Sequence, residues 1–89
     1  MQQREVEIVN ASGLDATAAA KLTHLAVQFQ CNVSLERRAR KVNGKSLMGV
    51  MMLVAAQGSR VVLETDGPDE AEALSAIAAL IADRFGEAQ

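Results

Sequence analysis

Residues 13–21 read Gly-Leu-Asp-Ala-Thr-Ala-Ala-Ala-Lys, and the other segments of the chain can be arranged around them. Gly13 favours a turn, because glycine adopts backbone conformations that other residues avoid. Asp15 is a preferred N-cap residue, whose carboxylate accepts a hydrogen bond from an otherwise unpaired amide of the first helical turn. We therefore predict that a helix begins at Ala16 and that its positive N-terminus, a favourable position for an anion, lies beside the side chain of Asp15.

Apolar residues alternate before this segment and recur at three- and four-residue spacing after it, which indicates a strand followed by an amphipathic helix. The same two patterns continue to the end of the chain, separated by turn residues. The predicted elements are strand 4–9, helix 16–28, strand 32–36, strand 39–42, helix 47–53, strand 60–65 and a last helix that starts within 67–70 and ends at Gly86. This order predicts an α+β fold of two packed layers and leaves the order of the strands open.

The predicted core consists of the apolar positions that share one face of each element. The helical positions are Ala18, Leu22, Leu25, Ala26 and Phe29 in the first helix and Leu74, Ile77, Ala78, Ile81 and Phe85 in the last. The strand positions are Val6, Ile8, Val33, Leu35, Val61 and Leu63. Charged residues interrupt strand 39–42, which suits an edge of the sheet. Ser46 is predicted to cap the second helix, and Pro68 to lie in the first turn of the last.

Composition narrows the class of protein. A chain of 89 residues predicts one domain, and a formal net charge of −2 argues against a general nucleic-acid-binding surface. The single cysteine, Cys31, cannot form an internal disulfide.

The N-terminal residues carry no apolar signal segment and no apolar run is long enough to span a membrane, so a cytoplasmic protein is expected. Without a Cys/His cluster or a glycine-rich phosphate loop, we expect no metal and no cofactor.

The segment that begins at Gly13 resembles the active-site segment of the HPr family, small histidine phosphocarriers of the bacterial phosphotransferase system. The family pattern reads Gly-Leu-His-Ala-Arg-Pro-Ala, of which this chain has Gly13, Leu14, Ala16 and Ala19. Asp15 replaces the histidine, Thr17 the arginine and Ala18 the proline. Residues 44–49 resemble the family's regulatory serine segment, and residues 64–70 its last strand-to-helix turn.

This resemblance covers the whole length and implies a single HPr-like domain over residues 1–89. It implies an open-faced, two-layer β-sandwich, with a four-stranded antiparallel sheet in the order 1-4-2-3. Three helices would cover one face of that sheet. It also implies a phosphocarrier-like or regulatory protein of sugar transport and not an enzyme.

Three interpretations of Asp15 remain open. It can be a helix cap, a phosphoryl acceptor that forms an acyl phosphate, or a permanent anion that mimics the family's phosphorylated histidine. Acyl-phosphate chemistry usually recruits a metal held by neighbouring acids, but the nearest acids, Glu7 and Glu36, form no motif with Asp15. Thr17 also lacks the permanent charge with which an arginine would pair with a phosphoryl group. The loss of both the histidine and the arginine predicts that the phosphoryl-transfer site is degenerate.

Ser46 resembles the serine that HPr kinase/phosphorylase modifies in the family. A phosphate there would add about −1.5 to −2 charges at a helix N-terminus, where an anion is favoured. Lys45, the preceding residue, is expected to be able to pair with that phosphate. The alternative is that Ser46 serves only as a helix cap.

The second helix carries more large apolar residues than a short helix can bury, so some are expected to be exposed. By resemblance, Leu47, Met48 and Met51 match the patch through which HPr meets Enzyme I, sugar-transport IIA domains and regulators. Ala16, Ala20 and His24 would lie on the same face, with His24 a solvated side chain. The alternative is a partly buried helix with incidental exposure.

Five basic residues between Arg37 and Lys45 indicate a solvated edge that can also steer an acidic partner.

These observations predict a regulatory, HPr-like protein-binding module, expected to be a monomer, with Ser46 as its switch. The expected partners are HPr kinase/phosphorylase and possible targets such as Enzyme I, IIA domains or a transcriptional regulator. This combination, a regulatory serine without the phosphohistidine, is similar to that of Crh-type HPr paralogues, which also lack the histidine. Two alternatives stay open: a carrier that accepts the phosphoryl group at Asp15, and an engineered HPr in which residues 15–18 were altered.

Overall fold

The computed structural model describes residues 1–88, which form four strands and three α-helices. The elements are β1 (Gln2–Glu7), α1 (Ala16–Ala26), β2 (Asn32–Arg37), β3 (Arg40–Asn43), α2 (Leu47–Met51), β4 (Arg60–Asp66) and α3 (Glu70–Ala82). A final 3₁₀ turn, Arg84–Gly86, follows α3. The predicted succession of strands and helices is confirmed. No helix within residues 1–88 combines the length and the apolar character that a membrane crossing requires.

The sheet has the order β1-β4-β2-β3, and every neighbouring pair of strands is antiparallel. This confirms both the predicted order 1-4-2-3 and the predicted edge position of β3. Leu35 lies opposite Leu63 in the β2–β4 ladder, and both side chains are fully buried beneath the helices. Side chains of the other face are more open to solvent, where Lys41 and Glu64 form an ion pair of 3.1 Å. The sheet therefore has one face covered by helices and one open face.

Most of the predicted core positions are buried, including the stripe of α3 from Leu74 to Ile81. In the first helical stripe, Leu25 and Phe29 are only partly buried. The reason for Phe29 is that α1 ends at Ala26 and not at Gln28 as predicted, so Phe29 lies in the following turn. The helical repeat no longer fixes the direction of its side chain there.

Other element boundaries also differ from the prediction. Strand β1 covers residues 2–7 and not 4–9, because Ile8 has left the β1–β4 ladder register, although its amide still donates to the carbonyl of Ser59 at 2.8 Å. Helix α2 ends at Met51 and not at Leu53. A five-residue helix that contains Gly49 is short, as the low helix propensity of glycine leads one to expect.

The start of α3 differs from a simple capped helix. Pro68 precedes the helix, which begins at Glu70, and the N-cap residue Asp69 makes no side-chain cap bond. Its carboxylate instead accepts the backbone amides of Gln30 and Cys31, each at 2.9 Å. The hydrogen bond from Gln30, together with that from Cys31, lowers the pKa of Asp69. The carboxylate thus joins the loop before β2 to the start of α3.

Phe85 was predicted to continue the apolar stripe of the last helix, but α3 ends at Ala82. Phe85 lies in the 3₁₀ turn with φ 54°, after Arg84 with φ 57°, and its side chain is still buried. Lys21 Nζ donates to the Phe85 carbonyl at 2.7 Å. The chain therefore reverses through left-handed backbone and returns the ring to the core.

Candidate functional site

Asp15 is the N-cap of α1, as predicted. Its Oδ1 accepts the backbone amide of Ala18 at 2.9 Å, and its carbonyl accepts the amide of Ala19 at 2.8 Å. The side chain is exposed, as is that of Thr17 in the first helical turn. One carboxylate oxygen is thus committed to the helix, while the group as a whole remains in contact with solvent.

The loop before Asp15 is held against the segment that follows α2. The amide of Leu14 donates to the carbonyl of Ala55 at 2.8 Å, and Asn10 Nδ2 donates to the carbonyl of Gly13 at 2.7 Å. Gly13 has φ +68°, and a Cβ there would lie 2.7 Å from the carbonyl oxygen of Ala55. Only glycine meets both the conformation and the close approach. The start of α1 is therefore fixed next to the end of the α2 region.

A shallow hollow of about 280 Å³ lies at this junction. It is lined by Ser12, Leu14, Asp15, Met51, Val54, Ala55 and Ala56. Asp15 is the only charged residue of this lining, which is otherwise mostly apolar. Within residues 1–88, no group of three or more His, Cys, Asp or Glu side chains is arranged to hold a metal ion. The hollow thus places one carboxylate beside an apolar surface.

The role of Asp15 as a cap can be tested by substitution. We expect Asp15→Ala to lower the free energy of unfolding by about 0.5–2 kcal/mol, because the amide of Ala18 loses its partner. Asp15→Asn and Asp15→Ser should be nearly neutral, since both side chains offer an oxygen at the same place. Urea denaturation of the three variants measures this. Equal losses in all three would show that the negative charge, and not the hydrogen bond, is the main contribution.

Ser46 is the N-cap of α2, also as predicted. Its Oγ accepts the amide of Gly49 at 3.1 Å, and the side chain is half-buried. Lys45 Nζ donates to the carbonyl of Phe29 at 2.7 Å in the unphosphorylated chain, so its pairing with a phosphate on Ser46 stays a prediction. That carbonyl lies just beyond α1, where a lysine side chain satisfies an otherwise unpaired acceptor. The cation next to Ser46 in sequence is therefore already engaged elsewhere.

The helix α2 and the residues after it present a group of exposed apolar side chains, which we call the docking surface. It consists of Leu47, Met48, Met51, Met52 and Val54. The expected exposure of Leu47, Met48 and Met51 is observed, with Met48 72% exposed. Met52 and Val54 were not predicted to belong to it. Val54 is 75% exposed with φ 50°, a left-handed conformation that residue spacing does not reveal.

Helix α1 adds a second exposed face. Ala16, Ala20 and His24 follow one another at four-residue intervals, so they share one side of the helix, and all three are exposed. Helix α1 packs against α2. The structure therefore brings the start of α1 close to the docking surface, whereas His24 lies in the last turn of α1, away from the cap at Asp15.

Comparisons with known proteins were made for the sequence and for the fold. The family model described as "PTS HPr component phosphorylation site" matches residues 2–83. The phosphocarrier protein HPr of Cupriavidus necator is 57% identical over 89 residues, with 100% of both chains covered. The structure of HPr-C-His from Thermoanaerobacter tengcongensis is 40% identical, covers 100% of both chains and superposes with a TM-score of 0.97. The Bacillus subtilis protein Crh, described as a dimer with a swapped domain, is 40% identical, with 94% and 97% coverage and a TM-score of 0.76.

Proposed function

The chain belongs to the HPr family of the bacterial phosphotransferase system, a family of phosphocarrier proteins and not of enzymes, and we propose that it retains the family's protein-binding surface without its phosphohistidine. In this proposal Asp15 takes the place of the phosphorylated histidine and Thr17 the place of the arginine. The protein acts in the cytoplasm as a monomeric regulatory module of the system. Phosphorylation of Ser46 switches its binding to other proteins.

The exposed apolar side chains of the docking surface carry this proposal. Five large apolar side chains are exposed together on one short helix and the residues after it. Exposed apolar groups that cluster in this way mark binding sites, and methionine adapts to partners of different shape. The expected partners are Enzyme I, IIA domains or a transcriptional regulator, together with HPr kinase/phosphorylase. Ala16, Ala20 and His24 would contribute the α1 side of the contact.

Loss of phosphoryl transfer is supported by the surroundings of Asp15. The lining of the hollow contains no basic side chain and no second carboxylate, so no side chain in it would balance the charge of an acyl phosphate. The carboxylate already accepts the amide of Ala18, and it carries a permanent charge where the family carries a transient one. The alternative, a carrier that accepts the group at Asp15, requires a metal or cation supplied from elsewhere.

Regulation through Ser46 is supported by its position directly before Leu47 and Met48. A phosphate on Oγ would stand at the rim of the docking surface and add about two negative charges there. A partner must then match or repel that charge, so binding changes more than folding does. The amide of Gly49, which now donates to Oγ, is available to the phosphate oxygens.

We expect HPr kinase/phosphorylase and ATP to add one phosphate to the protein, at Ser46, as mass spectrometry of the intact and digested chain would show. Thermal stability should change little, because a helix N-terminus favours negative charge by about 0.3–1 kcal/mol. The matched control is Ser46→Ala, which should remain unmodified. Phosphate on Ser34, Ser59 or Ser75, or no phosphate at all, would leave Ser46 with the role of a helix cap only.

A further inference from the structure

A second pocket, of about 270 Å³, opens between the β2–β3 turn and the end of α2. It is lined by Arg37, Arg38, Arg40, Met52, Leu53 and Val54. Arginines form one wall, and the residues that follow α2 form the other. No acidic residue belongs to this lining.

The strand register explains why the arginines meet. Arg37 ends β2 and lies directly opposite Arg40, the first residue of β3, so the two side chains project from the same face of the sheet. Leu35, two residues before Arg37, is buried on the face that the helices cover, so Arg37 points to that side as well. Like charges directly opposite each other destabilise a strand pair. Pairing within the sheet therefore gives no reason for these two arginines, which instead donate to carbonyls that follow α2.

The turn between the two strands gives no reason for a third arginine. Arg38 has φ 51° and Ala39 has φ 66°, so both central residues of the two-residue turn are left-handed. Turns of this kind favour Asn-Gly, because those residues adopt positive φ at little cost. The chain instead places Arg38 there, with its side chain exposed. The turn thus places a third arginine in the lining of the pocket, at a conformational cost.

The charges of the three arginines are not balanced within residues 1–88. None of the three forms an ion pair with a carboxylate, whereas the neighbouring Lys41 pairs with Glu64. Arg37 Nη1 donates to the carbonyl of Leu53 at 3.1 Å, and Arg40 Nη1 donates to that of Met52 at 3.4 Å. These bonds orient two guanidinium groups, each of which keeps further N–H donors for a ligand.

We propose that this pocket binds a dianionic phosphoryl group, carried by a small phosphate ester or by a phosphorylated peptide. Planar guanidinium groups bind phosphate oxygens through paired hydrogen bonds, and the three carry enough positive charge to offset the −2 of a phosphoryl group. The apolar side chains of Met52 and Val54 lie along the other wall of the pocket. Both residues also belong to the docking surface, so a bound group would add negative charge at its edge. Neither Asp15 nor Ser46 lines this pocket, although Val54 lines both it and the hollow at Asp15. The proposal does not depend on the function proposed for those two residues.

The test is an NMR titration of the full chain with glycerol phosphate and, separately, with a phosphoserine peptide. We expect saturable shifts of the Arg37, Arg38 and Arg40 side-chain Nε–H signals and of the amides of residues 52–54. Binding should tighten as the pH rises through the second pKa of the phosphate ester, about 6, because the ester gains its second charge there while the guanidinium groups do not titrate. The tighter of the two probes identifies the source of the phosphoryl group, and saturable binding of either one supports the site.

Arg38→Gln should weaken binding about ten-fold, because one charge-assisted contact is lost. Arg38 is exposed and forms none of the carbonyl bonds of Arg37 and Arg40, so the fold should be unaffected. Arg4→Gln, an exposed arginine of β1, is the matched control and should bind as the parent chain does. Shifts spread equally over Arg4, Arg60 and the pocket, an unchanged affinity in Arg38→Gln, or equal binding of an unphosphorylated acidic peptide would each overturn the proposal.

Discussion

The double variant Asp15→His/Thr17→Arg should accept a phosphoryl group from phosphoenolpyruvate and Enzyme I, whereas the parent chain should remain unlabelled. The substitutions restore a nitrogen nucleophile and a permanent, forked positive charge to the start of α1. The site has room for both, because positions 15 and 17 are exposed. Gly13 and the Leu14–Ala55 hydrogen bond hold the loop independently of these side chains. Label should therefore rise from none to about one phosphate per chain, as measured with labelled phosphoenolpyruvate.

The single variants separate the two contributions. Asp15→His should be labelled slowly, because the new nucleophile lacks the neighbouring charge, and Thr17→Arg should not be labelled at all. Hydroxylamine-sensitive label on the parent chain that is lost in Asp15→Ala would contradict the proposed loss of transfer and establish an acyl-phosphate carrier. An unlabelled double variant that also fails to bind Enzyme I would instead show that Enzyme I does not recognise the docking surface.

The variant Phe85→Ala should lower the free energy of unfolding by about 3–5 kcal/mol, a large part of the total for a domain of this size. Phe85 is the largest fully buried side chain within residues 1–88, and its ring packs in the main core although its backbone lies outside α3. Removal of the ring leaves a cavity that the surrounding side chains fill only in part. Urea denaturation monitored by circular dichroism measures the loss.

Phe29→Ala is the matched control, because Phe29 is the other phenylalanine and is only partly buried. Phe29→Ala should lower the free energy of unfolding clearly less than Phe85→Ala does. Phe85→Gly should be no less stable than Phe85→Ala, since glycine adopts φ 54° without strain. Equal losses for Phe29→Ala and Phe85→Ala would mean that the 3₁₀ turn is not part of the core.

Features that depend on neighbouring residues could be predicted from the sequence. The caps at Asp15 and Ser46 are examples, because a cap bond joins residues three apart. The inward positions of β2 and β4 follow from two-residue alternation, as Leu35 and Leu63 show. Strand order does not follow from periodicity, which is the same for a strand at the edge and one at the centre. That part of the prediction came from the family resemblance.

Features set by distant parts of the chain could not be predicted. Asp69 stands where a cap is expected, but its carboxylate binds amides 38 and 39 residues away. Lys45 reaches a carbonyl of the α1 region and not the serine beside it. Val54 joined the docking surface through a left-handed backbone, for which a β-branched residue gives no signal. The arginine pocket needs the β2–β3 register and the end of α2 together, so sequence alone indicated only a basic edge.

The position of Cys31 makes it a reporter of motion. Its side chain is 1% exposed, its amide is held by Asp69, and a Cβ on Gly67 would lie 2.7 Å from its Cα, so the chain closes tightly around it. Burial, and then the carboxylate of Asp69, raise the pKa of the thiol, which keeps it in the less reactive protonated form. A thiol reagent can reach the sulfur only when the packing around it opens, as when the start of α3 separates from the loop before β2. Since Cys31 is the only cysteine, the rate at which the reagent labels the protein under native conditions measures how often this local opening occurs, and no probe needs to be added to the protein.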